Sequence, residues 1–157
     1  MKILIVSDSH GDKETLLSVI EKENPEKVFF LGDYISDIYE IESLLNADIC
    51  AVKGNTDVGV NGVEDIILNI YNQRILLTHG HKYNVNQTMY KLYLKARENF
   101  VDYVFFGHTH RYEDFIENGI RFINPGSIAK PRDGDKGTYI IFDMQVDEVR
   151  IIKKVLT

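Results

Sequence analysis

The sequence predicts an α/β protein of two packed sheets with helices outside. The start of the chain reads β-α-β-α-β, with short apolar runs alternating with segments whose apolar residues fall on one helical face. From Asp65 onward the pattern changes to strand pairs with turn signals, interrupted by one helical segment. Five apolar runs end abruptly at residues able to bind a metal, as expected where a site forms outside the carboxyl ends of strands.

Ile3 to Ser7 is a short apolar run suited to a strand buried on both faces. Asp12 to Glu23 places Leu16, Leu17, Val19 and Ile20 on one helical face, with Gly11-Asp12 as cap and Pro25 as stop. Lys27 to Leu31 is the second strand. Ser36 is expected to cap a second helix over Asp37 to Leu45, buried through Ile38, Ile41, Leu44 and Leu45. Asp48 to Lys53 is the third strand. Asp65 to Tyr71 and Arg74 to Thr78 read as a hairpin about Asn72-Gln73. Val85 to Asn99 is a helix capped by Asn86 or Thr88, and its stripe of Met89, Leu92, Tyr93 and Ala96 is assigned to packing. Tyr103 to Phe106 is a strand. Tyr112 to Glu117 and Ile120 to Ile123 flank Asn118-Gly119, a strong hairpin signal, and Pro125-Gly126 makes the next turn. Thr138 to Asp143 and Glu148 to Val155 complete the β-rich remainder. There is no internal repeat, low-complexity segment or linker.

A chain of 157 residues fits one domain, 1–157, and 44% hydrophobic content provides a core and excludes disorder. The net charge of −6 and the lack of any basic run argue against extended nucleic-acid binding. Cys50, the single cysteine, lies in an apolar run and is expected to be a buried small hydrophobe, consistent with a reducing, cytoplasmic setting. Met1 to Val6 is too short for a signal core, and no apolar stretch approaches the roughly 20 residues a membrane span needs.

The chemistry lies at the strand ends. Asp8-Ser9-His10, Gly32-Asp33, Gly54-Asn55, His79-Gly80-His81 and Gly107-His108-Thr109-His110 each follow an apolar run, and together they hold all five histidines of the chain. A sheet that stops at a turn and then presents imidazoles delivers ligands rigidly to its edge. Carboxylate and amide oxygens with imidazole nitrogens suit Mn, Fe, Co, Ni or Zn, whereas a thiolate site would need cysteines. An Asp on a tight Gly turn suits the bridging of two cations held ~3.5–4 Å apart. Two divalent ions bring four positive charges against the two negatives of Asp8 and Asp33, so the centre stays positive, acidifies water and holds an anionic phosphate. The reading is a two-metal hydrolytic centre.

This ordered series resembles the calcineurin-like metallophosphoesterases, over nearly the whole chain. The short length and Asn124-Pro125-Gly126-Ser127 resemble the small YfcE-type phosphodiesterases in particular. The resemblance implies a four-layer α/β/β/α sandwich of two mixed sheets flanked by helices. It implies one metal on Asp8, His10, Asp33 and His110, and a second on Asp33, Asn55, His79 and His108, with Asp33 bridging. The expected ions are two divalent metals per chain, manganese first, with Ni, Fe, Co, Zn or Mg as the other candidates. A metal-bridging hydroxide would attack phosphorus in line. Larger members carry a His after the metal-binding Asn that protonates the leaving oxygen, and here that position is Thr56. The catalytic candidates beyond the metals are therefore His81 as a substitute acid or a partner of a ligand, Asp57 as an orienting residue, and Asn55. Ser9, Thr109, Asn124 and Ser127 are expected to line the site or hold its turns. Lys130 and Arg132 lie where they could reach phosphate, and Tyr34 and Tyr83 where they could stack on a base. The expected activity is hydrolysis of a small phosphodiester at an open site. The rivals are a phosphomonoesterase and a protein-binding scaffold like the retromer subunit that resembles this family; a homodimer and a homotetramer are both compatible with the sequence.

Overall fold

The computed structural model describes residues 1–157. The first sheet contains β1 (Lys2–Val6), β2 (Lys27–Phe30), β3 (Asp48–Ala51), β9 (Thr138–Met144) and β10 (Val149–Val155), in the order β10-β9-β1-β2-β3. The second contains β4 (Asp65–Ile70), β5 (Gln73–Thr78), β6 (Tyr103–Phe105), β7 (Tyr112–Glu117) and β8 (Ile120–Pro125), in the order β4-β5-β6-β8-β7. In each sheet three neighbouring strands run parallel, β1-β2-β3 and β5-β6-β8, and the remaining pairings are antiparallel. The helices are α1 (Lys13–Glu23), α2 (Ile35–Ile41) and α3 (Tyr90–Glu98).

The layers follow from alternation along strands. Ile3 and Ile5 of β1 enter the core between the sheets, with Phe29, Ile75, Leu77, Phe105, Ile140 and Phe142. Leu4 and Val6 point the other way, into a core with Leu16, Val19 and Ile20 of α1 and Ile35, Ile38 and Ile41 of α2. On the outer face of the second sheet, Leu76, Val104, Phe106 and Phe122 pack with Leu92 and Ala96 of α3. Period-2 strands buried on both faces thus give the four layers α/β/β/α, two mixed sheets between helices. Cys50 is half-buried against the inter-sheet core, and burial pushes its thiol pKa up.

Local chemistry places most boundaries. The Asp12 side chain accepts the Thr15 N–H at 3.2 Å to cap α1, and Asn24 closes it in the left-handed conformation before Pro25. Asn118 and Gly119 both take positive φ, 47° and 80°, as the two-residue turn between β7 and β8 requires.

Four expectations are corrected. Ser36 does not cap α2: the helix starts at Ile35, with Tyr34 as N-cap and no side-chain cap of its own. The Ile35 N–H goes instead to Asp57 Oδ1 of a neighbouring loop, at 2.9 Å. Leu44 is exposed, not buried, because the chain after Ile41 tightens into a 3₁₀ turn, Glu42–Leu44, which turns it off the apolar face. The hairpin turn is Tyr71-Asn72, one residue earlier than expected, with Tyr71 at φ 50° and Ile70 paired to Gln73. The third helix begins at Tyr90, not Val85; a 3₁₀ turn at His81–Tyr83 and further turns use up the preceding segment, and Thr88 Oγ1 accepts the Tyr90 N–H at 3.2 Å.

Candidate metal centre

The carboxyl ends of β1, β2, β3, β5 and β6 open at one edge of the sandwich, where the two sheets meet. Backbone bonds lock the turns together: Asp8 N–H to Gly32 O at 3.0 Å, and Gly107 N–H to His79 O at 3.0 Å. Two bonds cross between the sheets, from His79 Nδ1 to Leu31 O at 2.7 Å and from the His108 N–H to Asp8 Oδ2 at 3.2 Å. Glycine permits these approaches. A Cβ on Gly54 would overlap Asp33 Oδ1, and one on Gly107 would overlap Ser7 Oγ and lie 2.9 Å from Asp8 Oδ2.

The structure brings Asp8, His10, Asp33 and His110 together, with one ligand atom of each within 4.8 Å of all the others. Asp8 Oδ1 lies 3.1 Å from His110 Nε2, 3.8 Å from His79 Nε2 and 3.9 Å from His10 Nε2. Asp33 faces both ways, with Oδ2 3.7 Å from His10 Nε2 and Oδ1 3.3 Å from His79 Nε2. His108 sits beyond His79, the ring centroids 5.1 Å apart. Asn55 is exposed in a groove with Lys53, Glu64 and His81, and its turn is held to the centre by the Thr56 N–H, which donates to Asp33 Oδ1 at 3.2 Å.

The donor set fits a bound cation. His79 and His110 each turn Nδ1–H toward a carbonyl oxygen, Leu31 at 2.7 Å and Lys130 at 2.8 Å. Their Nε2 lone pairs then face carboxylate oxygens, acceptor against acceptor, which only positive charge between them relieves. Asp8 Oδ2 is satisfied by Ser7 Oγ at 2.5 Å and by His108 N–H, whereas Asp8 Oδ1 and His79 Nε2 are buried without a partner. A buried orphan of this kind costs ~1–3 kcal/mol or more if left unmet.

The titration shifts report the same demand for positive charge. The adjacent Asp8 carboxylate raises the pKa of His110. Burial disfavours the charged form of His79, but Asp33 and Asp8 outweigh it and raise its pKa. Burial pushes Asp33 up, and His79 and Thr56 more than reverse this, holding its carboxyl well below the usual range. His10, His108 and His81 are lowered, first by burial.

Residues around the cluster fix its turns. Asp57 is buried and accepts three backbone N–H groups, from Asp33 at 3.1 Å, Gly54 at 2.8 Å and Ile35 at 2.9 Å. Ser127 Oγ donates to Asp8 O at 2.8 Å, and Asn124 Nδ2 donates to Gly107 O at 2.9 Å and Thr109 Oγ1 at 3.0 Å. Ser9 Oγ donates to Asp37 Oδ2 at 2.6 Å. Asp37 also accepts the Gly11 N–H at 2.8 Å, so it steadies the turn that carries His10. Sequence reading missed Asp37, because as a helical residue it carries no local sign of reaching a turn 26 positions back. Lys130 and Arg132 are exposed on the loop behind His110, which the Arg132 N–H bonds through His110 O at 2.9 Å. His81 Nε2 lies 3.7 Å from Glu64, and its Nδ1 is buried without a partner. Tyr83 is committed elsewhere: its hydroxyl donates to Asp65 at 2.6 Å. Tyr34 lies beside His10, ring centroids 5.4 Å apart.

Comparison with known proteins places this geometry. The chain is 31% identical over 151 residues to the probable metallophosphoesterase YsnB of Bacillus subtilis, covering 96% of this chain and 89% of that protein. The structure of an archaeal phosphodiesterase is similar at TM-score 0.78 and 28% identity, covering 99% of this chain and 100% of that one. A double mutant of Vps29 from Entamoeba histolytica shares the fold at TM-score 0.83 and 24% identity, covering 100% of this chain and 93% of that one. No helix is long and apolar enough to cross a membrane. The family model of the calcineurin-like phosphoesterase superfamily domain matches residues 1–147, and the chain belongs to that superfamily.

Proposed function

We propose that the protein is a metal-dependent phosphodiesterase that hydrolyses small phosphodiesters, with water attacking phosphorus in line at a dinuclear centre. One observation carries the reading. Asp8 Oδ1 and His79 Nε2 are buried and unpartnered while facing each other across 3.8 Å, in a ring of further carboxylate and imidazole atoms. Asp8, His10, Asp33 and His110 would hold one ion. Asp33, Asn55, His79 and His108 would hold the other, Asp33 being shared because its two oxygens face different imidazoles. Manganese is the first candidate, in a cytoplasmic setting. When bound, divalent ions supply Lewis acidity, which neutralises phosphoryl oxygens and makes water more acidic.

The chain's own residues do the rest. Leu31 O and Lys130 O fix the two imidazoles in the tautomer that aims Nε2 inward. Asp57 positions the Asn55 turn over Asp33. The leaving group would depart along the groove of about 380 Å³ lined by Lys53, Asn55, Glu64 and His81, where His81 would pass on a proton. The diester preference is supported by Thr56, which stands where larger family members carry their acid, and by the phosphodiesterase description of the archaeal neighbour.

The test is turnover by metal-stripped protein of bis-p-nitrophenyl phosphate and of p-nitrophenyl phosphate, with Mn²⁺, Ni²⁺, Zn²⁺ or Mg²⁺ added back. The expected result is diester hydrolysis that appears on metal addition and exceeds monoester hydrolysis. A monoester preference would make the protein a phosphatase, and no turnover with any ion, together with tight binding of a protein partner, would favour a scaffold.

A further inference from the structure

Tyr34 is a large aromatic residue that the fold does not account for. It adopts φ 67° and ψ 52°, the left-handed region, where a bulky side chain is a genuine outlier and Gly or Asn is the usual occupant. Its side chain performs no capping for α2, whose first N–H is taken by Asp57. It belongs to none of the three hydrophobic cores and is 42% exposed. The backbone serves α2 through Tyr34 O, which accepts the Asp37 N–H at 2.9 Å, and any residue would supply that. The ring stands at the edge of the candidate metal centre, tilted 54° to the His10 imidazole and over Gly11, whose missing Cβ would lie 3.7 Å from Tyr34 Cε1. Strain that recurs at a site rim without serving the core points to a use in the site.

We propose that Tyr34 is a stacking platform for a flat aromatic substituent of the phosphodiester, of the nucleobase class, on the side of the centre occupied by His10. The inference rests on the phosphodiesterase reading and narrows its substrate to nucleotidyl esters. An aromatic face accepts any base by stacking, so the selection is for flatness rather than for base identity. The glycine at position 11 leaves the approach to the ring clear of a side chain from the β1–α1 turn. The chain carries a net charge of −6 and no basic run to track a phosphate backbone, so one nucleotide is selected rather than a strand.

The experiment compares p-nitrophenyl thymidine 5′-phosphate with methyl p-nitrophenyl phosphate on Mn²⁺-loaded parent protein, Tyr34→Phe and Tyr34→Leu. Both substrates release p-nitrophenolate, so the chemistry of departure is held constant. The parent is expected to show a KM about tenfold lower for the nucleotidyl ester, the lower range of base–aromatic stacking. Tyr34→Phe should keep that ratio and Tyr34→Leu should lose it. Calorimetric titration supplies a readout independent of turnover: AMP should bind the parent about tenfold more tightly than ribose 5-phosphate, and Tyr34→Leu should bind both alike. Turnover of both esters by the parent with equal KM would overturn the platform and leave the phosphodiesterase reading intact. A uniform fall in kcat on both esters in Tyr34→Leu, with the KM ratio unchanged, would reduce Tyr34 to a prop for His10 and also overturn it. Tight, Tyr34-dependent AMP binding without hydrolysis of either ester would uphold the platform and sink the phosphodiesterase reading.

Discussion

At Asp57 one buried carboxylate accepts backbone N–H groups from Asp33, Ile35 and Gly54, which belong to the β2 turn, the start of α2 and the β3 turn. A single acceptor therefore sets the spacing of the two turns that carry Asp33 and Asn55 and begins a helix. Asp57→Ala would strand three buried donors and should destabilise the protein by about 3 kcal/mol, read as a Tm lowered by roughly 6–12 °C. An unchanged Tm would show that water replaces the carboxylate without cost. One position earlier, Thr56 is exposed and uses its N–H to hold Asp33 Oδ1. Its side chain is not an acid at neutral pH, so unless His81 takes over that role, diesters with poor leaving groups should be hydrolysed slowly. Thr56→His should raise turnover of alkyl diesters by at least about tenfold and that of nitrophenyl diesters much less, since general acid catalysis matters most where the leaving oxygen is basic. Equal rates on both substrate types before and after the change would remove the acid from the account.

The elements that matter most are the turns after the parallel strands. Eleven non-glycine residues have positive φ, and Asp8, His10, Asp33, His108 and His110 are five of them. Much of the strain thus falls on the candidate ligands, and hydrogen bonds donated by Ser127 and Asn124 and accepted by Asp37 and Asp57 hold their turns. Gly107 shows how closely the turns fit. Gly107→Ala would drive a methyl group into Ser7 Oγ, which itself bonds Asp8. It should cost about 2 kcal/mol and weaken Mn²⁺ binding in a calorimetric titration, because Asp8 must move. Gly134→Ala, with nothing within 4 Å of the added carbon, is the matched control and should leave both quantities unchanged. Equal behaviour of the two variants would contradict the close packing of the β1 and β6 turns.

Across the whole molecule, acid stability should reflect ion pairs away from the centre as well. Burial pushes the Glu23 and Asp65 carboxyls up, but Lys2 and Tyr139 at Glu23, and Lys82 and Tyr83 at Asp65, more than reverse this. Both folded values lie below the ordinary 4.5 and 3.8, so the unfolded chain takes up these protons first as pH falls. Their contribution is complete above those ordinary values and is lost as pH drops through the lower folded ones. Chemical denaturation of metal-free protein should show ΔG falling below about pH 4.5, with a shallower slope in Asp65→Asn; an identical slope would exclude Asp65. The layers were legible in the sequence because Ile3, Leu4, Ile5 and Val6 are apolar on both faces and each strand announces itself locally. The blocks that carry the candidate ligands were legible because each lies within five residues of its strand end. The start of α2 was not, since its acceptor comes from Asp57, 22 positions away. Nor were the carbonyls of Leu31 and Lys130 that aim His79 and His110, because every residue carries a carbonyl and only the fold selects one. The central claim is that these far-apart segments converge on metal ions, and anomalous diffraction from manganese-loaded crystals tests it most directly. The account predicts one peak among Asp8, His10, Asp33 and His110 and a second beside His79 and His108, with Asp33 between them. Manganese bound elsewhere, or no peak within reach of Asp8 and His110, would contradict it.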